Sequence, residues 1–199
     1  YAGITNATTL NFTSADVVVP TISSVSLASN NSTIAVTFSE AVYTTTDAST
    51  ALVVGDFAFS ISGGTASLSS ATPSSISRSG NVYTLGISLS GTPDGGEVLT
   101  VNPASATAIY DAAGNAAANS QSNNTATMND QAAPTVSSLS PADGATGVAT
   151  TANLVITFDE EVDAESGNIT LYKSDDTQIQ AFDVTSDISG SGGTAITID

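Results

Sequence analysis

The chain has 199 residues, of which 40% are hydrophobic and 11% charged, and its formal net charge is −17. It contains no His, Cys or Trp, so Ser-His-Asp and Cys-His catalysis and zinc sites built on His or thiolate are excluded within this sequence. Lys173 and Arg78 are its two basic residues, too few to neutralise nucleic-acid phosphates or to hold the chain on anionic lipid.

One catalytic chemistry stays formally open, because the nineteen acidic residues include the two carboxylates that a glycosidase needs. The sequence offers no Trp as a sugar platform and no phosphate-cradling P-loop. We therefore expect no enzyme active site in it.

In chain order, the hydrophobic segments are short, β-branched and bounded by Gly, Pro, Asn or Ser, a pattern that predicts strands. No window shows sustained helical periodicity. Gly114 and Asn115 interrupt the Ala-rich IYDAAGNAAAN, so we expect a turn there. The predicted strands are VVVPTISSVSL, TIAVTF, DFAFSIS, NVYTLGISLS, EVLTV, NLVITF, NITLYKS and TAITID.

About seven short strands at roughly ten-residue spacing predict an all-β fold, an antiparallel β-sandwich of immunoglobulin type. Without Cys there is no disulfide between the sheets, so stability must come from apolar burial. The large residues expected in the core are Phe38, Phe57, Phe59, Tyr83 and Phe158.

Part of the sequence occurs twice. DVVVPTISSVS begins at Asp16 and DQAAPTVSSLS begins at Asp130, 114 residues later. Downstream, VTFSEAV at 36–42 is matched by ITFDEEV at 156–162, with six extra residues in the turn-rich PADGATGV. A spacing close to the size of one small domain predicts tandem duplication.

The ends follow the same scheme, because residues 1–16 resemble residues 110–130, and Leu10 and Phe12 alternate as buried strand residues do. We therefore expect the chain to open and close inside a repeat. The predicted organisation is a terminal strand of a preceding repeat at 1–17, a complete Ig-like repeat at 18–131 and a partial one at 132–199.

The run PTVSSLSPADGATGVATTANLVITFDEEV, beginning at Pro134, resembles the opening of bacterial Ig-like tandem repeats of S-layer proteins and large cell-surface adhesins. VTFSEAV, VGDFAFSISGG and YDAAGN are similar to a sister repeat of the same proteins. The resemblance implies a non-catalytic structural module of an extracellular bacterial protein, at the cell surface or secreted.

Pro20 and Pro134 restrict the backbone at both junctions, which favours a semi-rigid spacer whose partners are neighbouring repeats of the same chain. Two alternatives stay open. One is an assembly subunit of a lattice or filament that pairs through its sheet edges. The other is a glycan- or protein-binding module that uses the Ser-rich loop at 62–81, which carries Arg78. We expect no nucleic-acid partner and no direct membrane insertion.

Calcium is the one cofactor that the acidic composition suggests, because hard cations prefer oxygen ligands. The candidates are the cluster DEEVDAES and the acids that recur four residues before each junction Pro. Turn capping or simple solubility would explain the same acids without a metal. The predicted calcium ligands are Asp16, Asp130, Asp159, Glu160 and Asp163.

Overall fold

The computed structural model describes residues 15–198, and the chain divides into two compact units, Tyr1–Ala132 (unit 1) and Ala133–Asp199 (unit 2). Within the described range, strands and turns make up the fold, and the one regular helical turn is a 3-10 helix at Val54–Asp56. No helix in this range is long and apolar enough to cross a membrane. The predicted all-β fold class is confirmed. The strand expected around Leu10 and Phe12 lies outside the described residues.

Unit 1 is built from antiparallel sheets. The larger sheet has the order β1-β2-β6-β5, and a second sheet has the order β3-β8-β9, with the short pair β4-β7 beside them. The strands are β1 (Ile22–Leu27), β2 (Thr33–Phe38), β3 (Phe57–Ser62), β4 (Ser67–Leu68), β5 (Ile76–Ser79), β6 (Val82–Gly86), β7 (Leu89–Ser90), β8 (Val98–Pro103) and β9 (Thr125–Thr127).

Alternation along the strands places the core of unit 1 between its two main sheets. Every second residue of β2 is buried, and so is every second residue of β8. Phe38, Phe57 and Tyr83 meet in the core with ring centroids 5.8–6.2 Å apart. The buried Tyr83 hydroxyl donates to the Val42 carbonyl at 3.1 Å. These three residues and Phe59 occupy the core as predicted.

One fully buried carboxylate, that of Glu97, directly precedes β8. Glu97 is 0% exposed, and its Oε1 accepts the backbone N–H groups of Thr65 at 2.9 Å and Ala66 at 2.7 Å. Its Oε2 accepts the N–H of Asp94 at 3.2 Å. Burial acts to raise the pKa of Glu97, but these backbone hydrogen bonds outweigh it and hold the pKa below the ordinary value. The carboxylate therefore stays charged and organises the loop before β4.

Unit 2 has five strands in the described residues. They form a sheet of order β10-β11-β14 and a separate hairpin, β12-β13. Ile196 and Ile198 on β14 are buried, whereas Phe158, which was expected in the core, is only partly buried. The strands are β10 (Val136–Ser140), β11 (Leu154–Val162), β12 (Asn168–Tyr172), β13 (Gln178–Asp183) and β14 (Gly193–Ile198).

The repeated sequence builds the same strand pair in each unit. In unit 1, Ile22 lies opposite Phe38, and the register then shifts by one residue at a bulge. In unit 2, Val136 lies opposite Phe158 and is followed by the same shift. Because β-bulges are placed by specific local sequence, the common register shows that the repeated residues encode a common structure.

Candidate functional site: a carboxylate cluster at the start of unit 1

Three segments of unit 1 meet at its start: the chain from Asp16, the loop after β2, and the loop that contains YDAAGN. The two loops are joined by a pair of backbone hydrogen bonds between Tyr43 and Tyr110, at 2.7 and 2.8 Å. This small antiparallel bridge fixes two nearby acidic residues. Glu40 precedes Tyr43 in the sequence, and Asp111 directly follows Tyr110.

The YDAAGN loop is a tight turn around the buried carboxylate of Asp111, which is 0% exposed. Asp111 Oδ1 accepts the backbone N–H groups of Ala113 and Asn115, each at 2.8 Å, and Oδ2 accepts Asn115 Nδ2 at 2.7 Å. Gly114 has φ +86°, and a Cβ there would lie 3.1 Å from the Thr46 carbonyl. The motif therefore needs Asp, Gly and Asn at these three places.

Asn115 also holds the segment of unit 1 that precedes β1. Its Nδ2 group lies 3.2 Å from the carbonyl oxygen of Asp16 and 3.4 Å from that of Val18. The Asp16 side chain in turn accepts the N–H of Val18 at 3.0 Å, which forms a turn. One amide side chain thus places Asp16 beside Asp111.

As a result, the carboxylates of Asp16, Glu40 and Asp111 offer oxygen atoms that all lie within 4.8 Å of one another. Burial and the neighbouring charges of Asp111 and Asp16 raise the pKa of Glu40. The pKa of Asp111 is lowered, because hydrogen bonds from Asn115 and Ala113 outweigh the effect of its burial. The cluster concentrates negative charge, and its oxygen atoms are the ligand type that a hard cation such as calcium uses.

Of the five predicted calcium ligands, Asp16 belongs to this cluster. Within residues 15–198, the cluster of Asp16, Glu40 and Asp111 is the one group of three acidic side chains whose oxygen atoms lie this close together. No comparable group is formed by the other four predicted ligands, Asp130, Asp159, Glu160 and Asp163. Asp130 accepts the N–H of Ala132 at 2.8 Å, which repeats the turn made by Asp16. Asp159 accepts the backbone N–H and the hydroxyl of Thr135.

Sequence reasoning missed Glu40 and Asp111 as partners of Asp16, because they are far from it along the chain. The available signal was the pair of motifs SEAV and YDAAGN, each of which carries one of these acids.

The prediction of a long loop at 62–81 is wrong, because this segment contains β4 and β5. Arg78 stacks over the rings of Tyr43 and Tyr83, with its guanidinium carbon 5.9 and 5.5 Å from their centroids. Its Nε donates to the Gly80 carbonyl at 2.7 Å. The side chain suggested as a ligand contact is therefore held against unit 1 itself.

Antiparallel sheets packed face to face around an apolar core place the protein in the class of Ig-like β-sandwich modules. Residues 130–199 match the family model of the bacterial Ig-like domain, which confirms the resemblance that begins at Pro134. Domains of this family are typically non-catalytic and occur in bacterial surface proteins. Searches of curated proteins and of solved structures gave no significant match.

Proposed function

We propose that this chain is a non-catalytic part of a large bacterial cell-surface protein of adhesin or S-layer type, in which its Ig-like units act as a semi-rigid extracellular spacer. The observation that carries the proposal is the short connection between the two units, which each unit anchors by its own hydrogen bonds.

Unit 1 holds the chain close to its end. Asn31 and Asn129 exchange hydrogen bonds in both directions, with Asn31 Nδ2 donating to the Asn129 carbonyl at 2.7 Å and the Asn129 N–H donating to Asn31 Oδ1 at 2.9 Å. Two residues later, the N–H of Gln131 donates to the Pro93 carbonyl at 2.9 Å. Hydrogen bonds therefore fix the backbone of unit 1 as far along the chain as Gln131.

Unit 2 anchors the chain at Thr135, whose backbone N–H donates a hydrogen bond to Asp159 Oδ1. Three residues, Ala132, Ala133 and Pro134, separate these anchors. Pro134 has a fixed φ and restricts Ala133 to extended conformations, so the connection has few conformations available. Such a connection supports a stiff spacer rather than a flexible tether.

A pair of spin labels tests the stiffness, because the chain has no native Cys to interfere. We would label Thr72→Cys in unit 1 and Gln180→Cys in unit 2, both exposed positions, and measure the distance distribution by pulsed electron resonance. A semi-rigid connection gives a narrow distribution. The matched control replaces Pro134 with Gly and inserts Gly-Ser-Gly-Ser after Ala133, which should broaden it. A native distribution as broad as that of the control contradicts the spacer.

The cellular location needs a separate test. Antibodies raised against the chain should label intact producing cells or the medium. Labelling that requires lysis contradicts an extracellular role while leaving the distance measurement unaffected.

A further inference from the structure

Strands β1 and β9 are neighbours in unit 1, although they belong to different sheets. β1 pairs with β2, and β9 pairs with β8. Among residues 15–198, no backbone hydrogen bond joins β1 to β9. The hydrogen bonds that hold these two strands together must therefore come from side chains.

A glutamine holds the start of β1. The N–H of Ile22, the first residue of β1, donates to Gln121 Oε1 at 2.8 Å. Gln121 lies shortly before β9. Its Nε2 group donates to the Ala118 carbonyl at 2.7 Å, and its backbone N–H donates to Asn102 Oδ1 at 3.2 Å. Because Asn102 belongs to β8, one side chain connects β1 to the second sheet.

An asparagine holds the other end of β1. Asn129 lies shortly after β9, and its Nδ2 group donates to the carbonyl of Ala28, the residue that follows β1, at 3.1 Å. The same Nδ2 group lies 3.0 Å from Oδ1 of the buried Asn31. Gln131 Nε2 lies 3.4 Å from the Ser29 carbonyl. Both ends of β1 are thus bonded to the segment that contains β9.

These two links show that β1 and β9 run in the same direction. The start of β1 is bonded to the segment that precedes β9, and the end of β1 is bonded to the segment that follows β9. The chain enters unit 1 before β1 and leaves it after β9. Because the strands are parallel, entry and exit lie at opposite ends of the pair.

A force applied between entry and exit therefore acts along the two strands. If β1 slides lengthwise against β9, the links at Ile22 and at Ala28 must break together, because both cross the direction of sliding. The antiparallel ladder between β1 and β2 is loaded in the same way. Modest hydrogen bonds that must break together raise the barrier to unfolding more than the same bonds broken one after another.

We propose that Gln121 and Asn129 form a mechanical clamp that locks β1 to β9 and determines how strongly unit 1 resists being pulled open. The inference rests on the proposed spacer, in which force passes from one repeat to the next. It assigns the resistance to two side-chain amides, at a place where no backbone ladder exists. Because urea acts in no fixed direction, the clamp should affect the unfolding rate more under a directed force than in urea.

The test measures the lifetime of folded unit 1 under constant force in the full chain. The variants Val17→Cys and Ala132→Cys, at exposed positions, provide attachment points that apply the force across unit 1, and the chain has no native Cys to compete. Gln121→Met keeps the length of the side chain but removes the acceptor of the Ile22 N–H. Its lifetime under force should be about tenfold shorter than that of the native chain.

Asn129→Ala tests the second link. This variant loses the side-chain bond to Ala28 but keeps both bonds between its backbone and the Asn31 side chain, so it should shorten the lifetime without releasing the exit segment. Circular dichroism reports whether each variant is folded. If Gln121→Met does not fold, Asn129→Ala carries the same comparison.

The matched control is Tyr83→Phe, which removes a buried hydrogen bond to the Val42 carbonyl without changing β1 or β9. In urea without force, Tyr83→Phe and Gln121→Met should speed unfolding to a similar extent. Under force, Gln121→Met should shorten the lifetime much more than Tyr83→Phe. A native lifetime for Gln121→Met under force, or one shortened no more than that of Tyr83→Phe, overturns the clamp.

This outcome is independent of the test of the proposed function. A broad distribution of spin-label distances contradicts the spacer but does not change the lifetime of unit 1 under force. Unchanged lifetimes for both amide variants overturn the clamp and leave the stiffness of the connection between the units as measured.

Discussion

Asp159 binds Thr135 with both carboxylate oxygens, taking the backbone N–H at 2.7 Å on one and the hydroxyl on the other. In unit 1, Ser39 takes the corresponding place and its Oγ accepts the N–H of Thr21 at 3.0 Å. Both units also have a backbone hydrogen bond in the opposite direction. The N–H of Ser39 donates to the Thr21 carbonyl, and the N–H of Asp159 donates to the Thr135 carbonyl. In each unit, the polar side chain directly after the paired Phe, Ser39 after Phe38 and Asp159 after Phe158, thus anchors the Thr that follows the junction Pro.

The first prediction concerns pH. Hydrogen bonds from Thr135 lower the pKa of Asp159, so the folded state binds this proton less tightly than the unfolded chain does. The stabilisation is present above the unfolded pKa, near 3.9, and is lost as pH falls through the lower folded value. Chemical denaturation of Asp159→Asn should therefore show a smaller loss of stability for unit 2 than the native chain between about pH 5 and pH 2. If the stability of the native chain and that of Asp159→Asn fall equally over this pH range, Asp159 does not contribute the expected pH-dependent stabilisation.

The second prediction concerns Glu97. Glu97→Leu leaves the N–H groups of Thr65, Ala66 and Asp94 without their acceptor, and it should destabilise unit 1 by about 1–3 kcal/mol or more in urea denaturation.

Gly64→Ala tests the same site from the other side. A Cβ at Gly64 would lie 2.2 Å from Glu97 Cδ, and φ there is +57°. A Cβ at Gly55 has no heavy atom within 4 Å, so Gly55→Ala is the matched control and should change stability far less. Similar losses for the two alanine variants would show that the fit at Gly64 is unimportant.

The third prediction concerns the core hydroxyl. Tyr83→Phe keeps the ring contacts with Phe38 and Phe57 but removes the donor to the Val42 carbonyl. The expected loss is about 1 kcal/mol, the typical net value of one buried hydrogen bond. Phe38→Ala, which also leaves a cavity, should cost about 3–5 kcal/mol. Thermal unfolding checks both, and a Tyr83→Phe variant as destabilised as Phe38→Ala would point to a lost ring contact instead.

The fourth prediction is that calcium stabilises unit 1 through Asp16, Glu40 and Asp111. A cation would relieve the repulsion that contributes to the raised pKa of Glu40. Calcium at a hundredfold excess over its Kd would add about 2.7 kcal/mol and raise Tm. Glu40→Gln should reduce this response, whereas Asp143→Asn removes the same charge from unit 2 and should not. Identical melting curves in chelator and in millimolar calcium would exclude a calcium site.

The same residue gives a pH signature in chelator. Because the folded pKa of Glu40 is raised, the folded state binds its proton more tightly than the unfolded chain does. The native chain should therefore gain stability relative to Glu40→Gln as pH falls through that raised value. A relative loss over the same range would mean that Glu40 is not repelled by its neighbours.

Alternation predicted the parts of the fold that are buried on one face. Phe38, Phe57 and Tyr83 stand in segments with clear apolar alternation, and the core is where that pattern places them. Strands β4 and β9 have two or three residues each and carry little pattern, so the sequence did not reveal them. Their pairing depends on neighbours that are distant along the chain. The predicted strand NVYTLGISLS is divided in the structure into β6 and the short β7.

The carboxylate cluster was predicted only in part for a similar reason. Asp16 was predicted as a calcium ligand because its neighbouring sequence recurs around Asp130, and such a repeat can be read directly from the sequence. Its proximity to Asp111 depends on Asn115, which bonds to both residues across the fold. Such a contact has no local sequence signal.

The placement of the first and last strands of unit 1 determines how it would respond to mechanical load. In the proposed spacer, tension would enter unit 1 at β1 and leave it at β9, and these strands belong to different sheets. The N–H of Ile22, at the start of β1, is held by Gln121 Oε1 at 2.8 Å, and β1 is bonded to β2 along its length. A pull on the two ends would therefore act between the two sheets, so it would load their shared apolar core together with the hydrogen bonds of β1.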